Sequence, residues 1–231
     1  MRFAAKKYEL IHFTQCYRKF NLQARVQVEG EDLEPKEGVR VLGIWLDPKL
    51  QWSAHFKTIQ EKSNAQIGAL VRTTASTWGA SFIRARLVYS AVVRSAMGYG
   101  AAIWHSPTKP NGKPQGLAAK LQPLQNKCLR VVAGAYKATP TRNLEVETYT
   151  PPIDLYLDSR LAAFQSRLAH TEADKIIQKA CSAIWSRIKG RRRKHKATPI
   201  AQNRQQEWAR KREEHFLALG KTREQQRVLV A

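Results

Sequence analysis

The middle of this 231-residue chain lacks acidic side chains. Between Lys62 and Leu144 there are twelve Lys or Arg residues and no Asp or Glu. A nuclease or polymerase centre needs several carboxylates to hold Mg²⁺ beside a phosphate, so none can be built within this stretch. The rest of the chain shows no Gly-rich phosphate loop, His-x-Glu metal motif or Ser/His/Asp arrangement. The sequence therefore predicts no self-contained catalytic centre, no cofactor and no metal site of its own.

Cysteine and long apolar runs are also scarce. The three cysteines, Cys16, Cys128 and Cys181, are too far apart for a disulfide framework or a zinc-ligand spacing. The N-terminus has no apolar core of signal-peptide type. The most apolar window, Leu87 to Trp104, contains an arginine and several small residues, which favours a buried helix over a membrane span. We therefore expect an intracellular protein with no membrane contact.

Positive charge is what the sequence has in excess. Forty Lys and Arg against eighteen Asp and Glu give a formal net charge of +22. Residues 1–50 carry nine basic and seven acidic side chains, or +2, whereas 51–150 (thirteen and three) and 151–231 (eighteen and eight) carry +10 each. Such an excess of charge opposes compaction unless a polyanion neutralises it. Binding of each Lys or Arg to a nucleic-acid phosphate is favourable because it releases condensed counterions. The charge favours nucleic acid over an anionic membrane surface as the partner.

The first fifty residues have the pattern of a small sheet. Tyr8 to Phe13 is a short β-prone run, and apolar residues alternate with polar ones from Leu22 to Val28. The acidic stretch over 29–38, with Gly and Pro, predicts a loop. Val39 to Leu46 is apolar on both faces, which predicts one interior strand that ends at the Asp47-Pro48 turn.

Helical spacing replaces this pattern from Ser53 onward, with Ser53 a candidate N-cap. The predicted helices cover about 53–74, 81–103, 117–131, 157–168 and 176–188. The predicted buried face of the second helix consists of Val88, Val92, Ala96, Tyr99 and Ile103. Pro123 predicts a kink in the third helix, or its true start. The fold class is therefore α+β: a short sheet over 1–50, a helical bundle over 51–150, and a basic helical connector and polar tail over 151–231.

Basic residues on these helices are the candidate binding residues. Since the helices also bury apolar faces, their charges would lie on a fixed surface that can contact backbone phosphates. A solvated charge is the simpler interpretation of any one of them, but twelve without a balancing acid favour a partner. The candidate phosphate contacts are Arg72, Arg84, Arg86, Arg94, Lys120, Lys127, Arg130 and Lys137, together with Arg191, Arg192, Arg193 and Lys194 of the tail.

The tail cluster around 189–196 has two further interpretations, a nuclear-import signal and a solvated linker, and we expect a nuclear location. The six Trp residues could stack on bases. However, Trp45, Trp52, Trp78 and Trp104 stand at the ends of predicted elements beside apolar residues, which favours core packing.

Several segments resemble, in the same order, the reverse transcriptase of non-LTR (LINE-like) retrotransposons of the fungal type. Lys7 to Phe13 resembles the Lys-x-Glu-x-x-x-Phe stretch that follows the catalytic motif of the palm. Val41 to His55 is similar to the segment at the palm–thumb junction. Leu87 to Trp104 and Leu124 to Pro140 resemble two thumb segments, the second carrying Leu-Gln-Asn-x-x-Leu-Arg-x-x-x-Gly-Ala-Tyr. The resemblance covers roughly residues 1–170.

The resemblance implies descent from an RNA-directed DNA polymerase that uses Mg²⁺ and whose thumb helices hold the template–primer duplex. It makes residues 1–50 the end of the palm and residues 51–150 the thumb. The family's Tyr/Phe-x-Asp-Asp motif would lie before Met1, and no RNase H domain follows the Pro-Pro region. We therefore expect a piece of such an enzyme that is not catalytic alone. Lys7 matches a palm lysine proposed to assist proton transfer, but without the aspartates we expect an ordinary surface lysine.

The predicted activity is sequence-nonspecific binding of RNA–DNA or RNA duplex through phosphates, with no small-molecule substrate. Three alternatives stay open: polymerase activity of the chain itself, a helical module that binds a protein, and an inactive transposon relic. Affinity for nucleic acid that falls steeply with salt would separate phosphate binding from a protein partner.

Overall fold

The computed structural model describes residues 7–14, 18, 21–74, 78–107, 114–187, 206, 208–210 and 212–214. The chain forms two compact units, residues 1–64 and 65–231. The strands all lie in the first unit, and the helices follow them from Ser53 onward, so the α+β class and the order of sheet before helices are confirmed. The division at residues 50 and 150 stays a prediction.

The strands of the first unit form two antiparallel hairpins. Strand β1 (Val26–Val28) pairs with β2 (Glu31–Leu33), and β3 (Val39–Val41) pairs with β4 (Ile44–Leu46). The loop predicted over 29–38 therefore contains a strand. The Tyr8–Phe13 run forms only one bridge, from Leu10 to Pro35.

The prediction of a single strand over 39–46 is wrong. Leu42 and Gly43 reverse the chain with φ of 48° and 85°, and Val41 pairs with Ile44 across this turn. Two successive left-handed residues define the tight hairpin turn whose twist matches that of the strands. Leu42 is 89% exposed at its tip. Gly43, which adopts this conformation at little cost, was the one sequence signal for the turn.

Helix α1 (Ser53–Thr73) begins after the predicted Asp47-Pro48 turn. Ser53 is its first helical residue rather than a cap that accepts a backbone N–H. The Asp47 carboxylate accepts hydrogen bonds from the Trp52 N–H (3.1 Å) and the Ser53 hydroxyl (3.3 Å). Asp47 therefore satisfies donors at this helix start.

The helices of the second unit surround α5 (Gly116–Ala133), which packs against three others. The elements that follow α1 are α2 (Phe82–Val88), a π-helical turn (Tyr89–Val93), α3 (Arg94–Met97), α4 (Ala101–Trp104), α5, α6 (Thr141–Glu147), α7 (Ile153–Leu168) and α8 (Glu172–Arg187). Helix α5 contacts α2, α6 and α7, and α4 contacts α7. The buried ring nitrogen of His105 lies 2.6 Å from the Asp158 carboxylate and ties the end of α4 to α7.

Helical spacing predicts that Leu117, Leu121, Leu124, Cys128 and Val131 form the buried stripe of α5, and the first four are buried. Val131 is only half-buried, and Val132 is buried in its place. The helix begins at Gly116, so Pro123 does not mark its start. Pro123 lies on the solvent side, where water can reach the carbonyl that the proline leaves without a donor.

The buried face predicted for the helix over 81–103 is wrong. The residues that the core buries here are Ala85, Tyr89, Val93, Met97, Ala101 and Trp104. Val88, Val92, Tyr99 and Ile103 are exposed instead. Both sets recur about every fourth residue, so periodicity alone did not separate them. Of the tryptophans predicted to pack, Trp104 is buried, Trp45 and Trp52 are half-buried, and Trp78 is 67% exposed.

Two adjacent valines of the π-helical turn test this orientation. Val93 is 1% exposed and Val92 is 48% exposed. We expect Val93→Ala to lower the free energy of unfolding by about 2 kcal/mol, because it leaves a cavity in the core. Val92→Ala, the matched control, should change it by less than about 0.5 kcal/mol. Urea unfolding followed by circular dichroism measures both, and a larger loss for Val92→Ala would show that the helix is turned the other way.

Candidate nucleic-acid interface

Five of the predicted phosphate contacts lie on the surface of the protein. They are Arg72, Arg84, Lys120, Lys127 and Lys137, all exposed. Lys120 and Lys127 stand on the solvent side of α5, opposite its buried stripe, and are separated by seven residues. Seven residues are close to two helical turns, which places the two lysine Cα atoms on one face about 10 Å apart along the axis. This spacing presents a pair of cations to an extended polyanion.

The other predicted contacts on the helices are half-buried. The Arg130 guanidinium donates to the backbone carbonyls of Asn126 (3.2 Å) and Thr139 (3.3 Å), so it also ties the end of α5 to the loop that follows. Arg86 and Arg94 lie beside tyrosine rings. The four tail candidates, Arg191, Arg192, Arg193 and Lys194, are outside the described residues, and their role stays a prediction.

Arg86 and Arg94 line a pocket of about 440 Å³ that also contains a third arginine, Arg212. Its aromatic walls are Tyr149, Tyr156 and Trp208, and we call it the arginine–tyrosine pocket. Ser159 of α7 also lines it. As far as the described residues go, three guanidinium groups and no carboxylate face this space.

The arginines of this pocket are stacked on its aromatic rings. The Arg212 guanidinium carbon lies 4.2 Å from the centre of the Tyr149 ring, and that of Arg94 lies 4.5 Å from the centre of the Tyr156 ring. Arg86 approaches the Tyr149 ring at 5.5 Å. A guanidinium that lies against a ring face keeps its N–H edge available for hydrogen bonds in the plane of the group.

Like charges crowd this pocket. Burial, and then the positive charge of Arg94, lower the pKa of the Arg86 guanidinium from its usual value, although the nearby Tyr149 opposes this shift. An arginine remains protonated in proteins, so the pocket keeps its positive charge. Two buried N–H groups of its lining, Arg94 Nε and Trp208 Nε1, have no hydrogen-bond acceptor among the described residues. Buried donors in this state favour an acceptor that binds from outside.

The loop between α6 and α7 positions Tyr149. Tyr149 has φ of 55°, a left-handed conformation that is strained for a bulky residue. The Tyr149 N–H donates to Val146 O (3.0 Å), and the neighbouring Thr150 N–H donates to Glu145 O (2.9 Å). The fully buried Gln125 amide of α5 donates to Pro151 O (3.1 Å). These contacts hold the ring in place beneath Arg212.

Glu145 is a buried carboxyl group next to this loop. It is 9% exposed and accepts a hydrogen bond of 2.9 Å from the Gln122 amide. Burial, reinforced by the nearby Asp154, raises the pKa of Glu145 to about 7, although the Gln122 hydrogen bond acts in the opposite direction. The folded protein therefore holds this proton at pH values where the unfolded chain has released it.

Folding stability should consequently depend on the ionisation of Glu145. Between about pH 4.5 and pH 7 the folded state binds more protons than the unfolded state, so stability falls as the pH rises through this window. Glu145→Gln removes the carboxylate and keeps an acceptor for Gln122. We expect it to exceed the wild type by about 1–3 kcal/mol in free energy of unfolding at pH 8, and by much less below pH 5.

Urea unfolding at a series of pH values measures this difference. Glu147→Gln is the matched control, because it removes the same charge from an exposed position of the same helix. It should leave the pH dependence as it is in the wild type. A Glu145→Gln variant whose stability runs parallel to that of the wild type across the range would contradict a buried proton on this carboxyl group.

The sequence reasoning missed Tyr149, Tyr156, Arg160, Trp208 and Arg212. One signal was present, because Arg160 follows Tyr156 by four residues and Arg212 follows Trp208 by four residues. Residues four apart lie on one face of a helix, and this pattern predicts arginine–aromatic contacts. The contacts exist, at 5.9 Å for Arg160 on Tyr156 and 5.1 Å for Arg212 on Trp208.

The described residues contain neither a metal-site cluster nor a membrane-spanning helix. No group of three or more His, Cys, Asp or Glu side chains there is placed to hold a metal ion. No helix in the described part of the chain is both long and apolar enough to cross a membrane.

Comparison with known proteins relates this chain to retrotransposable elements. It is 25% identical over 130 residues to the 115 kDa protein of type-1 retrotransposable element R1DM from Drosophila melanogaster, a match of 56% of this chain and 12% of that protein. It is 23% identical over 157 residues to the retrovirus-related Pol polyprotein of element R1 from Bradysia coprophila, covering 65% of this chain and 15% of the polyprotein. The Pol polyprotein of element R1 4 from Nasonia vitripennis is also 23% identical over 157 residues, 68% of this chain and 38% of that polyprotein.

The resemblance to proteins of non-LTR retrotransposons is thereby confirmed, and the chain is related to proteins of R1-type elements. It spans well under half the length of each of these three relatives. No family model matches the chain, and no solved structure does.

Proposed function

We propose that the chain binds an RNA–DNA or RNA duplex through the phosphate backbone, without reading its sequence, within a retrotransposon reverse transcriptase. The observation that carries the proposal is the absence of acids from residues 62–144, a stretch that forms much of the helical unit. A surface built from these helices presents cations with few carboxylates to oppose an approaching phosphate.

The solvent side of α5 is the centre of the proposed duplex-binding surface. Lys120 and Lys127 are exposed there, while the opposite side of the same helix is locked into the core by Leu121 and Leu129. The rigid helix fixes the spacing of the two lysine positions, which supports binding by position rather than by sequence. We propose that Arg72, Arg84 and Lys137 extend this surface, and that the tail cluster at 191–194 adds contacts and directs the protein to the nucleus.

The relatives support this proposal by their names, since two are Pol polyproteins of retrotransposable elements. A polymerase of this kind must hold a template–primer duplex while the bases are copied, and phosphate contacts serve this purpose for every sequence. Mg²⁺ and the catalytic carboxylates would belong to the intact enzyme. We propose no catalysis by this chain alone, and incorporation of nucleotides above background in a primer-extension assay with Mg²⁺ would overturn that part of the proposal.

Neutralising two lysines of α5 tests the duplex-binding surface. We expect Lys120→Gln/Lys127→Gln to weaken the binding of a short RNA–DNA duplex by about tenfold or more at about 100 mM salt, since each lost phosphate contact forfeits one counterion release. Fluorescence anisotropy of a labelled duplex measures the affinity, and two unrelated duplex sequences should give the same loss.

The matched control is Lys175→Gln/Lys179→Gln on α8. It removes the same net charge from two exposed lysines, one of which pairs with Glu172 at 2.6 Å. We expect a loss of about twofold or less from this control. Equal losses from the two double variants would show that only the overall charge matters, and no binding by the wild type would refute the proposed function.

A protein-binding role is the second candidate function, because α2, the π-helical turn and α4 expose apolar side chains. These are Leu87, Val88, Val92 and Ile103, each more than two fifths exposed. Exposed apolar side chains that cluster are typical of protein contacts. If a Val92→Ser/Ile103→Ser variant binds duplex with wild-type affinity, these apolar side chains are not part of the duplex-binding surface.

A further inference from the structure

The arginine–tyrosine pocket differs from the duplex-binding surface in shape and in construction. Lys120 and Lys127 stand out from a helix, whereas Arg86, Arg94 and Arg212 surround a recess of about 440 Å³. A volume of this size is within the range of pockets that hold small ligands, which is about 300–1,000 Å³. A recess of this volume is too small for a duplex, but it can hold one small ligand group.

The chemistry of the lining identifies the class of ligand. The pocket concentrates guanidinium groups, and its described lining contains no carboxylate. Arginine forks match the paired oxygens of a phosphate, and several donors around one anion give short, charge-assisted hydrogen bonds. The buried N–H groups of Arg94 and Trp208 also need an acceptor. A phosphate can accept hydrogen bonds from guanidinium and indole N–H groups, whereas an apolar group can accept none.

The contacts within the pocket indicate that the arginine side chains are preorganised for binding. Tyr149 and Tyr156 support Arg212 and Arg94 by their ring faces, at 4.2 and 4.5 Å. Trp208 meets the Tyr149 ring edge to face, with ring centres 6.2 Å apart and planes at 72°. Gly98, which follows the last residue of α3, leaves room for Tyr156, because a Cβ atom at this position would stand 3.1 Å from the tyrosine ring. The positive groups are thus brought together before any ligand binds, which lowers the entropy cost of binding.

We propose that the arginine–tyrosine pocket binds one phosphate group of an unpaired nucleic-acid strand, with the guanidinium groups of Arg86, Arg94 and Arg212 as donors. The proposal rests on the proposed function for the choice of nucleic acid among phosphate-bearing ligands, which the chain charge of +22 also favours. An unpaired strand can lead one phosphate into a recess because its backbone is flexible, whereas a duplex keeps its phosphates on a regular outer surface. The chain then has two separate binding sites, one for duplex and one for single strand.

Ser159 offers the sharpest test, because it lines the pocket and lies exposed on α7. Ser159→Glu places a carboxylate among the guanidinium groups, where it would occupy the donors in place of the phosphate. We expect this variant to weaken binding of a single strand of about twelve nucleotides by about tenfold or more, and duplex binding by about threefold or less. Ser159→Gln has nearly the same size without the charge and should stay within about twofold of the wild type for both ligands.

Arg212→Gln provides a second route to the same result, since it removes a donor from a segment outside the central bundle. It should match Ser159→Glu in both assays, and Arg212→Lys should recover only part of the single-strand affinity because an ammonium group has no planar fork. Thermal unfolding of each variant shows whether the fold is retained. Variants at both positions report on the pocket, so a folding defect in one of them leaves the other as the test.

The pattern across ligands separates the two proposals. Lys120→Gln/Lys127→Gln should show the opposite preference, with the larger loss for duplex. If single-strand binding depends on the pocket but the wild type binds no duplex, the proposed function fails and the pocket stands. If duplex binds but the Ser159→Glu and Ser159→Gln variants are alike, or if the wild type binds no single strand, the pocket proposal is overturned. Equal losses for both ligands from the pocket variants would overturn it too, because the pocket would then be one more part of the general basic surface.

Discussion

The buried amide of Gln125 joins three segments of the helical unit. Its Oε1 accepts a hydrogen bond of 3.0 Å from the Tyr89 hydroxyl, and its Nε2 donates to Pro151 O at 3.1 Å. Burial raises the pKa of Tyr89 above its usual value, which favours the protonated hydroxyl that donates this bond. The amide thereby links the helix that carries Arg86 and Arg94 to central α5 and to the loop that carries Tyr149. The arrangement of the arginine–tyrosine pocket depends on this connection, since a buried polar group without its partners costs about 1–3 kcal/mol.

The acid-free stretch contains two kinds of basic residue, and the structure separates them. Lys120 and Lys127 point away from a helix whose other side is buried, so solvent screens their charges. Arg86 and Arg94 are half-buried, close to each other, and stacked on tyrosines. Basic residues without a binding role would be expected to lie apart on the surface, where the repulsion between them is smallest. Its concentration in a recess supports a role in binding anions for the second kind.

Much of the fold could be predicted because its periodicity was unambiguous. In α5 the apolar residues recur on one side and the lysines lie away from it, so the buried face was predicted correctly except at Val131, where Val132 is buried instead. The helix over 82–104 is apolar on two sides, so the choice between them depended on contacts with α5 and α7 that lie far away in sequence. The hairpin at residues 42–43 was missed because Leu42, a residue that seldom adopts positive φ, takes part in the turn. The candidate site was likewise predicted only in part. Arg86 and Arg94 were predicted from the pattern of charge, whereas Tyr149 and Arg212 are far apart in sequence and become neighbours only in the folded chain.

The dependence of affinity on salt reports on phosphate binding, because phosphate contacts release counterions in proportion to their number. The affinity of the wild-type chain for a short RNA–DNA duplex should be measured by anisotropy between about 50 and about 200 mM salt. We expect log affinity to fall linearly with log salt concentration with a slope of several units, each unit corresponding to roughly one phosphate contact. An affinity that does not change with salt, or no binding at the lowest salt concentration, would contradict this expectation.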